Sequence, residues 1–389
     1  MEALLAAELR ALGATDVEER RAGVGFRGAL ETAYRACLWS RVANRILLPL
    51  GAFAAPTPEA LYAGVRAIAW ADHIAPGRTI AVDCRLSGSR ITHSHYAALK
   101  TKDAIVDQLR DRRGRRPNVD VRRPDVRVNV HIHTDNAVVS IDLSGESQHR
   151  RGYRAEGAVA PLKETLAAAI LLLAEWPRRA GEGAPLIDPM CGSGTIVLEA
   201  ALMAGDVAPG LRRDYFGCAG WHGHDSVLWT RLRREAASRA AEGVRRLPPI
   251  HGYDTDARAV RAAHLNLARA ALADRVHVER RALADCAPIA ARGNAGRPGV
   301  VVTNPPYGER LGAVEQLGTL YEQLGDLLRQ RFPGWTGYVL CGAPALAKRI
   351  GLRPARRVAL YNGTIECRLL ELPISSTPVR DEGGPHWRR

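Results

Sequence analysis

The chain has 389 residues, 46% of them hydrophobic, and a formal net charge of +14 at pH 7. That length needs two or three domains, each able to bury its own core. No apolar run is long enough to span a bilayer, and the start Met1-Glu2-Ala3 lacks the basic-then-apolar pattern of a secretory signal, so a cytoplasmic protein without a membrane partner is expected. The basic excess points to a polyanionic partner. All but four of the basic residues (Lys100, Lys102, Lys163 and Lys348) are arginines, which a GC-rich genome explains in part, but that bias does not account for the shortage of acids. The seven cysteines are scattered and form no Cys-x-x-Cys pair, which fits free thiols. Cys218 with His222 and His224, and His131 with His133, fall short of a four-ligand zinc pattern, so no metal is expected.

Taken in chain order, Leu4, Leu5, Leu9 and Leu12 mark a first helix, and Val24-Gly25-Phe26 a short strand. A longer helix is expected to end near Ile46-Leu47-Leu48, followed by a break from Gly51 to Pro58. Leu61, Val65, Ile68 and Ala69 predict a helix, Thr79 to Cys84 a strand, and Tyr96 to Leu109 another helix leading into an arginine-rich loop. Two strands, Val126 to Ile132 and Ala137 to Leu143, alternate with period two around a hairpin link at Thr134-Asp135-Asn136. This first part, 1–145, reads as a small α+β module.

From Pro161 the pattern becomes strand then helix, repeated. Pro185 to Asp188, Ile250 to Tyr253, Val276 to Glu279, Val300 to Thr303 and Tyr338 to Leu340 read as strands. Gly194 to Ala204, Ala257 to Ala271 and Glu315 to Arg331 read as helices. Such alternation predicts a parallel, doubly wound α/β sheet of Rossmann type. It closes on an antiparallel hairpin, Val358 to Tyr361 and Thr364 to Leu370, with Asn362-Gly363 expected at the turn because both central residues of that turn type need positive φ. The expected boundaries are a linker at 146–160, a catalytic domain at 161–375 and a polar tail at 376–389.

Two sites carry chemistry. Asp188-Pro189-Met190-Cys191-Gly192-Ser193-Gly194-Thr195 follows a strand and opens a helix. Gly192 and Gly194 let the chain turn tightly and let a ligand approach the backbone at a helix amino end. Val197 stands where a dinucleotide fingerprint has its third glycine, and no Walker lysine follows. In Gly252-Tyr253-Asp254-Thr255-Asp256, Asp254 is placed to accept from ribose hydroxyls, and Asp256 to cap the helix that starts at Ala257. The second site is Asn304-Pro305-Pro306-Tyr307 at the end of an apolar strand. The prolines stiffen the turn and remove two donors. The Asn304 oxygen and the Pro305 carbonyl can then hold the two N–H bonds of an exocyclic base amine, whose lone pair is otherwise delocalised. Tyr307 offers a face for the base. This is catalysis by positioning and electrostatics, with no strong general base.

Asn304-Pro305-Pro306-Tyr307 resembles motif IV of S-adenosylmethionine-dependent amino-methyltransferases. Three further stretches narrow the likeness. Asp142 to Glu146 with His149 to Arg154 resembles the junction between a THUMP domain and a methyltransferase domain. Ala160 to Ala167 resembles the segment over the bound cofactor, and Asn304 to Leu311 continues the catalytic match. Together they resemble the bacterial THUMP-domain 23S ribosomal RNA guanine-N(2) methyltransferases, over about Met1 to Leu372. The resemblance implies a class I S-adenosylmethionine methyltransferase domain behind a ferredoxin-like lead-in and a THUMP domain at about 32–143. It implies a catalytic set of Asn304, Pro305, Pro306 and Tyr307. The implied cofactor set is Lys163, Thr165, Asp188, Pro189, Cys191, Gly192, Gly194, Thr195, Glu199, Asp254, Asp285 and Asn304. Asp285 stands in for the acid usually placed just after the third strand to meet the adenine amine; here Arg281-Ala282-Leu283 occupies that place. Some members carry a second fused methyltransferase domain, and with the chain ending at Arg389 that second activity is expected to be absent.

The implied partner is large-subunit ribosomal RNA, naked or in an assembly intermediate, bound by a monomer. Arg110, Arg112, Arg113, Arg115, Arg116, Arg122 and Arg123 are the candidate phosphate contacts, against the alternative of a solvated loop. Two other functions stay open: a DNA adenine amino-methyltransferase, which shares the catalytic motif, and a non-catalytic RNA-binding protein.

Overall fold

A computed structural model describes residues 1–154, 162–289, 298–307 and 313–376. The chain divides into two compact units, residues 2–151 with 209–235, and residues 152–208 with 236–389.

In the amino-terminal unit, α1 (Glu2–Ala11) precedes an antiparallel pair, β1 (Thr15–Arg20) and β2 (Gly23–Arg27), and then α2 (Leu30–Trp39). The helix expected to reach Ile46 stops at Trp39. Leu47–Ala54 is instead a strand, β3, paired with the strand at 136–142. That partner supplies the ladder, and tertiary pairing overrides the local apolar pattern. The helix α3 (Pro58–Ala67) starts with Pro58 in its first turn, and the Thr57 hydroxyl caps the Ala60 N–H at 3.2 Å. The strand β4 (Thr79–Ser87) leads to α4 (Ser94–Arg113), whose buried residues Ala97, Thr101, Ala104, Ile105, Gln108 and Leu109 recur at helical spacing. The helix takes in Arg110, Arg112 and Arg113, where an arginine-rich loop is expected, and ends on Gly114 at φ +68°. Next come β5 (Asn118–Val119), β6 (Val126–His133) and β7 (Asn136–Asp142). The sheet order is β3-β7-β6-β4-β5. Val126, Val128, Val130 and Ile132 are buried in strict alternation, as the period of two requires. Thr134 and Asp135 both take positive φ at the β6–β7 turn.

Residues 209–235 pack with this unit, although they fall inside the 161–375 span expected for the catalytic domain. Hydrogen bonds tie them in. The Gly210 N–H donates to the Leu38 carbonyl at 2.9 Å and the Cys218 N–H to that of Leu143 at 2.9 Å. The Arg213 guanidinium reaches the carbonyls of Ser144 at 2.9 Å and Glu146 at 3.0 Å.

The second unit holds α5 (Glu164–Leu173), α6 (Trp176–Gly181), β8 (Leu186–Asp188), α7 (Thr195–Ala204) and the end of α8 (Ser226–Gly243). It continues with β9 (Ile250–Asp254), α9 (Ala257–Arg269), β10 (His277–Arg280), β11 (Val300–Thr303), α10 (Ala313–Arg331), β12 (Thr336–Cys341), α11 (Pro344–Arg349), β13 (Arg356–Asn362) and β14 (Ile365–Pro373). The sheet order is β10-β9-β8-β11-β12-β14-β13. The first five strands run parallel, and β14 and β13 are antiparallel. The strand order reverses between β8 and β11, so a crevice opens at their carboxyl ends, where open α/β sheets bind ligands. The closing turn differs by one residue from expectation. Asn362 pairs with Ile365, and only Gly363 takes a positive φ, +67°.

Candidate active site

The register of β11 on β8, Val300 with Leu186 and Val301 with Ile187, sets the two loops after these strands side by side. The loop after β8 is pinned throughout. The Cys191 N–H donates to the Tyr253 carbonyl at 2.8 Å, and Asn266 on α9 donates to the Ser193 carbonyl at 3.0 Å. Gly192 and Gly194 sit at φ +54° and +82°, and a Cβ on Gly192 would point into open space. The backbone is therefore bare on one side, as close approach of a ligand to a helix amino end requires.

Asp254 ends β9 and faces this loop. One carboxylate oxygen accepts the Gly192 N–H at 2.9 Å and the other the Asp256 N–H at 2.9 Å. Each oxygen keeps a further lone pair for a hydroxyl donor. Asp256 caps α9 by accepting from the Arg258 N–H at 2.8 Å. Asp188 is almost fully buried and accepts from the Met190 N–H at 3.2 Å. Burial pushes its carboxyl up to about 7, and the negative charge of Asp254 adds to the rise. Burial likewise holds the Cys191 thiol well above its usual range.

The second loop carries Asn304 to Tyr307. Asn304 Oδ1 is buried and has no hydrogen-bond partner among the described residues. A buried acceptor left without a partner is costly, and in this loop it is available to a ligand donor. Pro305 is buried and Pro306 exposed. The Tyr307 hydroxyl accepts from Asn362 Nδ2 at 2.7 Å, and burial raises its pKa to about 12.

The other expected cofactor residues divide. Thr195 opens α7 and receives Arg154 Nη2 on its hydroxyl at 3.1 Å. Pro189 and Thr165 are buried, and Lys163 is the exposed cap residue of α5. Glu199 is fully buried on α7 and accepts the Tyr153 hydroxyl at 3.0 Å, so its observed part is to hold residue 153. Asp285 is exposed just after β10. Within the resembling stretches, Ala160, Pro161 and 308–311 lie outside the described residues, as does the tail from 377.

Sequence reasoning missed Arg154. Its Nε binds buried Glu164 at 2.8 Å, and Nη2 also binds the Leu162 carbonyl at 3.1 Å. It thus ties the start of α5 to the glycine loop, a part that its place at the end of the His149 to Arg154 stretch does not reveal. The arginine run also divides. Arg113 donates to the carbonyls of Ile74 at 2.6 Å and Ala71 at 2.7 Å, and Arg110 pairs with Asp107 at 2.8 Å. Arg123 lies 5.3 Å over the Tyr215 ring. Arg112, Arg115, Arg116 and Arg122 are exposed.

Fold and site define a class I S-adenosylmethionine-dependent methyltransferase: a seven-stranded sheet of this order, a glycine loop with an acid facing it, and a strand-end Asn-Pro-Pro-Tyr. The bare Gly192 backbone and the free capacity of Asp254 fit that cofactor. The chain belongs to the RMKL-like methyltransferase domain family, whose model matches residues 151–371. A THUMP domain matches 55–142, later in its start than the expected 32, and an RlmL ferredoxin-like domain matches 1–47. Curated relatives named ribosomal RNA large subunit methyltransferase K/L are 53% identical over 375 residues in Syntrophotalea carbinolica and 54% over 375 in Methylococcus capsulatus. Each match covers 96% of this chain but 52% and 50% of the relative, so the chain spans about half the length of the curated relatives it matches. The expectation that a second methyltransferase activity is absent is therefore not supported. SMU.472 complexed with SAH superposes with a TM-score of 0.84 at 32% identity, covering 97% of this chain and 96% of that one. A predicted N6-adenine-specific DNA methylase from Listeria monocytogenes also gives 0.84 at 32%, covering 96% and 93%. Among the described residues no helix is long and apolar enough to cross a membrane.

Proposed function

We propose that this chain methylates the exocyclic amine of a guanosine in large-subunit (23S) ribosomal RNA, forming N(2)-methylguanosine. The observation that carries the reading is the buried Asn304 Oδ1, without a partner among the described residues, in the loop beside the glycine loop. The relatives' names and the THUMP match support RNA over DNA as the substrate.

Bound S-adenosylmethionine supplies an electrophilic methyl on a sulfonium. The residues of the chain present the nucleophile. Asn304 Oδ1 and the Pro305 carbonyl accept the two N–H bonds of the guanine amine and turn its lone pair out of conjugation. The amine held by Asn304 and Pro305 would be the group that takes the methyl, and the proton it sheds would leave to solvent with product release. The guanine must leave its stack to reach this loop, and Tyr307 offers the surface that replaces the lost stacking. Asp254 takes the ribose hydroxyls while it fixes the Gly192 turn. Arg112, Arg115, Arg116 and Arg122 meet phosphates and place the RNA without reading its sequence.

Labelled cofactor with naked large-subunit RNA, an assembly intermediate or DNA tests this reading, with the methylated nucleoside identified after digestion. N(2)-methylguanosine in the RNA is expected. Methyladenine in DNA, as the Listeria relative's description suggests for that protein, would overturn it, and so would no transfer at all. The variant Asn304→Ala should lower turnover about a hundredfold or more with cofactor affinity nearly unchanged, because the lost contact is strongest at the transition state. A full rate in that variant would place amine activation elsewhere.

A further inference from the structure

Tyr307 is held from two sides by residues to which the reaction above gives no part. Asn362 donates its side-chain N–H to the tyrosine hydroxyl at 2.7 Å. The ring lies over Gly342, where an added Cβ would sit 2.5 Å from Cδ2 and 2.8 Å from Cε2. Gly342 does not take a positive φ, so the glycine answers to the space the ring needs and not to a backbone conformation.

Topology brings both residues to this end of the sheet. Gly342 directly follows β12, the neighbour of β11. Cys341 pairs with Arg368, and Arg368 with Ala359, so the β13–β14 hairpin runs on past the end of β12 and carries Asn362 to the loop after β11. The ring has a flat backbone floor beneath it and a tether on its hydroxyl. Together these fix both the tilt of the ring and its depth.

We infer that Asn362 and Gly342 are positioning residues for methyl transfer, which set the plane of Tyr307 and through it the approach of the base amine to Asn304. The inference rests on the reading of Tyr307 as the platform for the target base. Its weight comes from the steepness of reactivity with geometry, since a displacement of about 1 Å can cost a hundredfold in rate. Restoring ordinary contact over a methyl at position 342 demands a ring shift of about that size. If the hydrogen bond merely satisfied a half-buried hydroxyl, its loss would lower stability and leave turnover unchanged.

The test is single-turnover transfer of labelled methyl by the full chain to transcribed large-subunit RNA at saturation, with melting temperature and S-adenosylhomocysteine affinity measured alongside. Asn362→Ala and Tyr307→Phe each break the same bond and should each slow transfer about three- to tenfold, the size of one net hydrogen bond. The double variant should be no slower than either single one. Asn362→Asp, which can accept from the hydroxyl, should recover most of the rate. Gly342→Ala should slow transfer about a hundredfold with cofactor affinity kept. A full rate in Asn362→Ala, or penalties that add in the double variant, would overturn the inference. If Gly342→Ala does not fold, the Asn362 and Tyr307 cycle decides alone. Tyr307→Ala separates the two layers. A full rate there removes the platform reading itself. A slow Tyr307→Ala with full rates in Asn362→Ala and Gly342→Ala removes only the positioning role.

Discussion

Replacing Asp188 by asparagine should change how the stability of the catalytic unit depends on pH. Burial raises this carboxyl from 3.8 to about 7. Between those values the folded chain holds a proton that the unfolded chain has released. Stability therefore falls as pH rises through that window, and the loss is complete above pH 7. A shift of about three pH units amounts to about 4 kcal/mol, an upper bound because buried carboxyls relax. Asparagine stays neutral and keeps an acceptor for the Met190 N–H. The stability of the variant relative to the parent should therefore climb by up to about 4 kcal/mol from pH 4 to pH 7, whatever the fixed offset between them. Hydrogen exchange of peptides covering β8 and β11 reads this unit by itself, which suits a chain of two compact units. Parallel curves for variant and parent across that range would refute the idea that burial keeps Asp188 protonated.

Asp254→Ala should weaken S-adenosylhomocysteine binding by calorimetry while the fold persists, because it removes both the ribose acceptor and the anchor of the Gly192 turn. Unchanged affinity would remove the assignment. Replacing Arg112, Arg115 and Arg116 together by alanine should weaken RNA binding and flatten the salt slope by about two to three. Arg113→Ala should leave that slope alone and cost about 1–3 kcal/mol of amino-terminal unit stability, since its guanidinium serves two carbonyls. Denaturant titration and salt-dependent binding separate the two arginine classes.

The parallel sheet was legible because β8 and β11 are short, fully buried runs that alternate with periodic helices. The β6–β7 hairpin was legible because Val126 to Ile132 alternates strictly. The strand β3 was not. Leu47-Leu48-Pro49-Leu50 continues an apolar stretch from Ile46, and only the partner β7, some ninety residues later, makes it a strand. The residues proposed to work through their own chemistry, Asn304 and Asp254, stand in short local motifs. Those that work through distance do not. Arg154 meets Thr195, and Asn362 meets Tyr307, across separations of 41 and 55 residues, beyond any local pattern. Asn362 did stand out, but as a turn former. The turn falls one residue later, at Gly363-Thr364, which leaves the asparagine side chain available to the tyrosine.

The return of residues 209–235 to the amino-terminal unit bears on how the protein is made and dissected. No single cut separates the two units. A fragment ending at Arg151 would expose the Leu38 and Leu143 carbonyls, and those of Ser144 and Glu146, that Gly210, Cys218 and Arg213 cover. During synthesis the amino-terminal unit lacks its last segment until Glu235 has been added, by which time β8 and the whole glycine loop have already been made. The amino-terminal unit is thus completed after the second unit has begun.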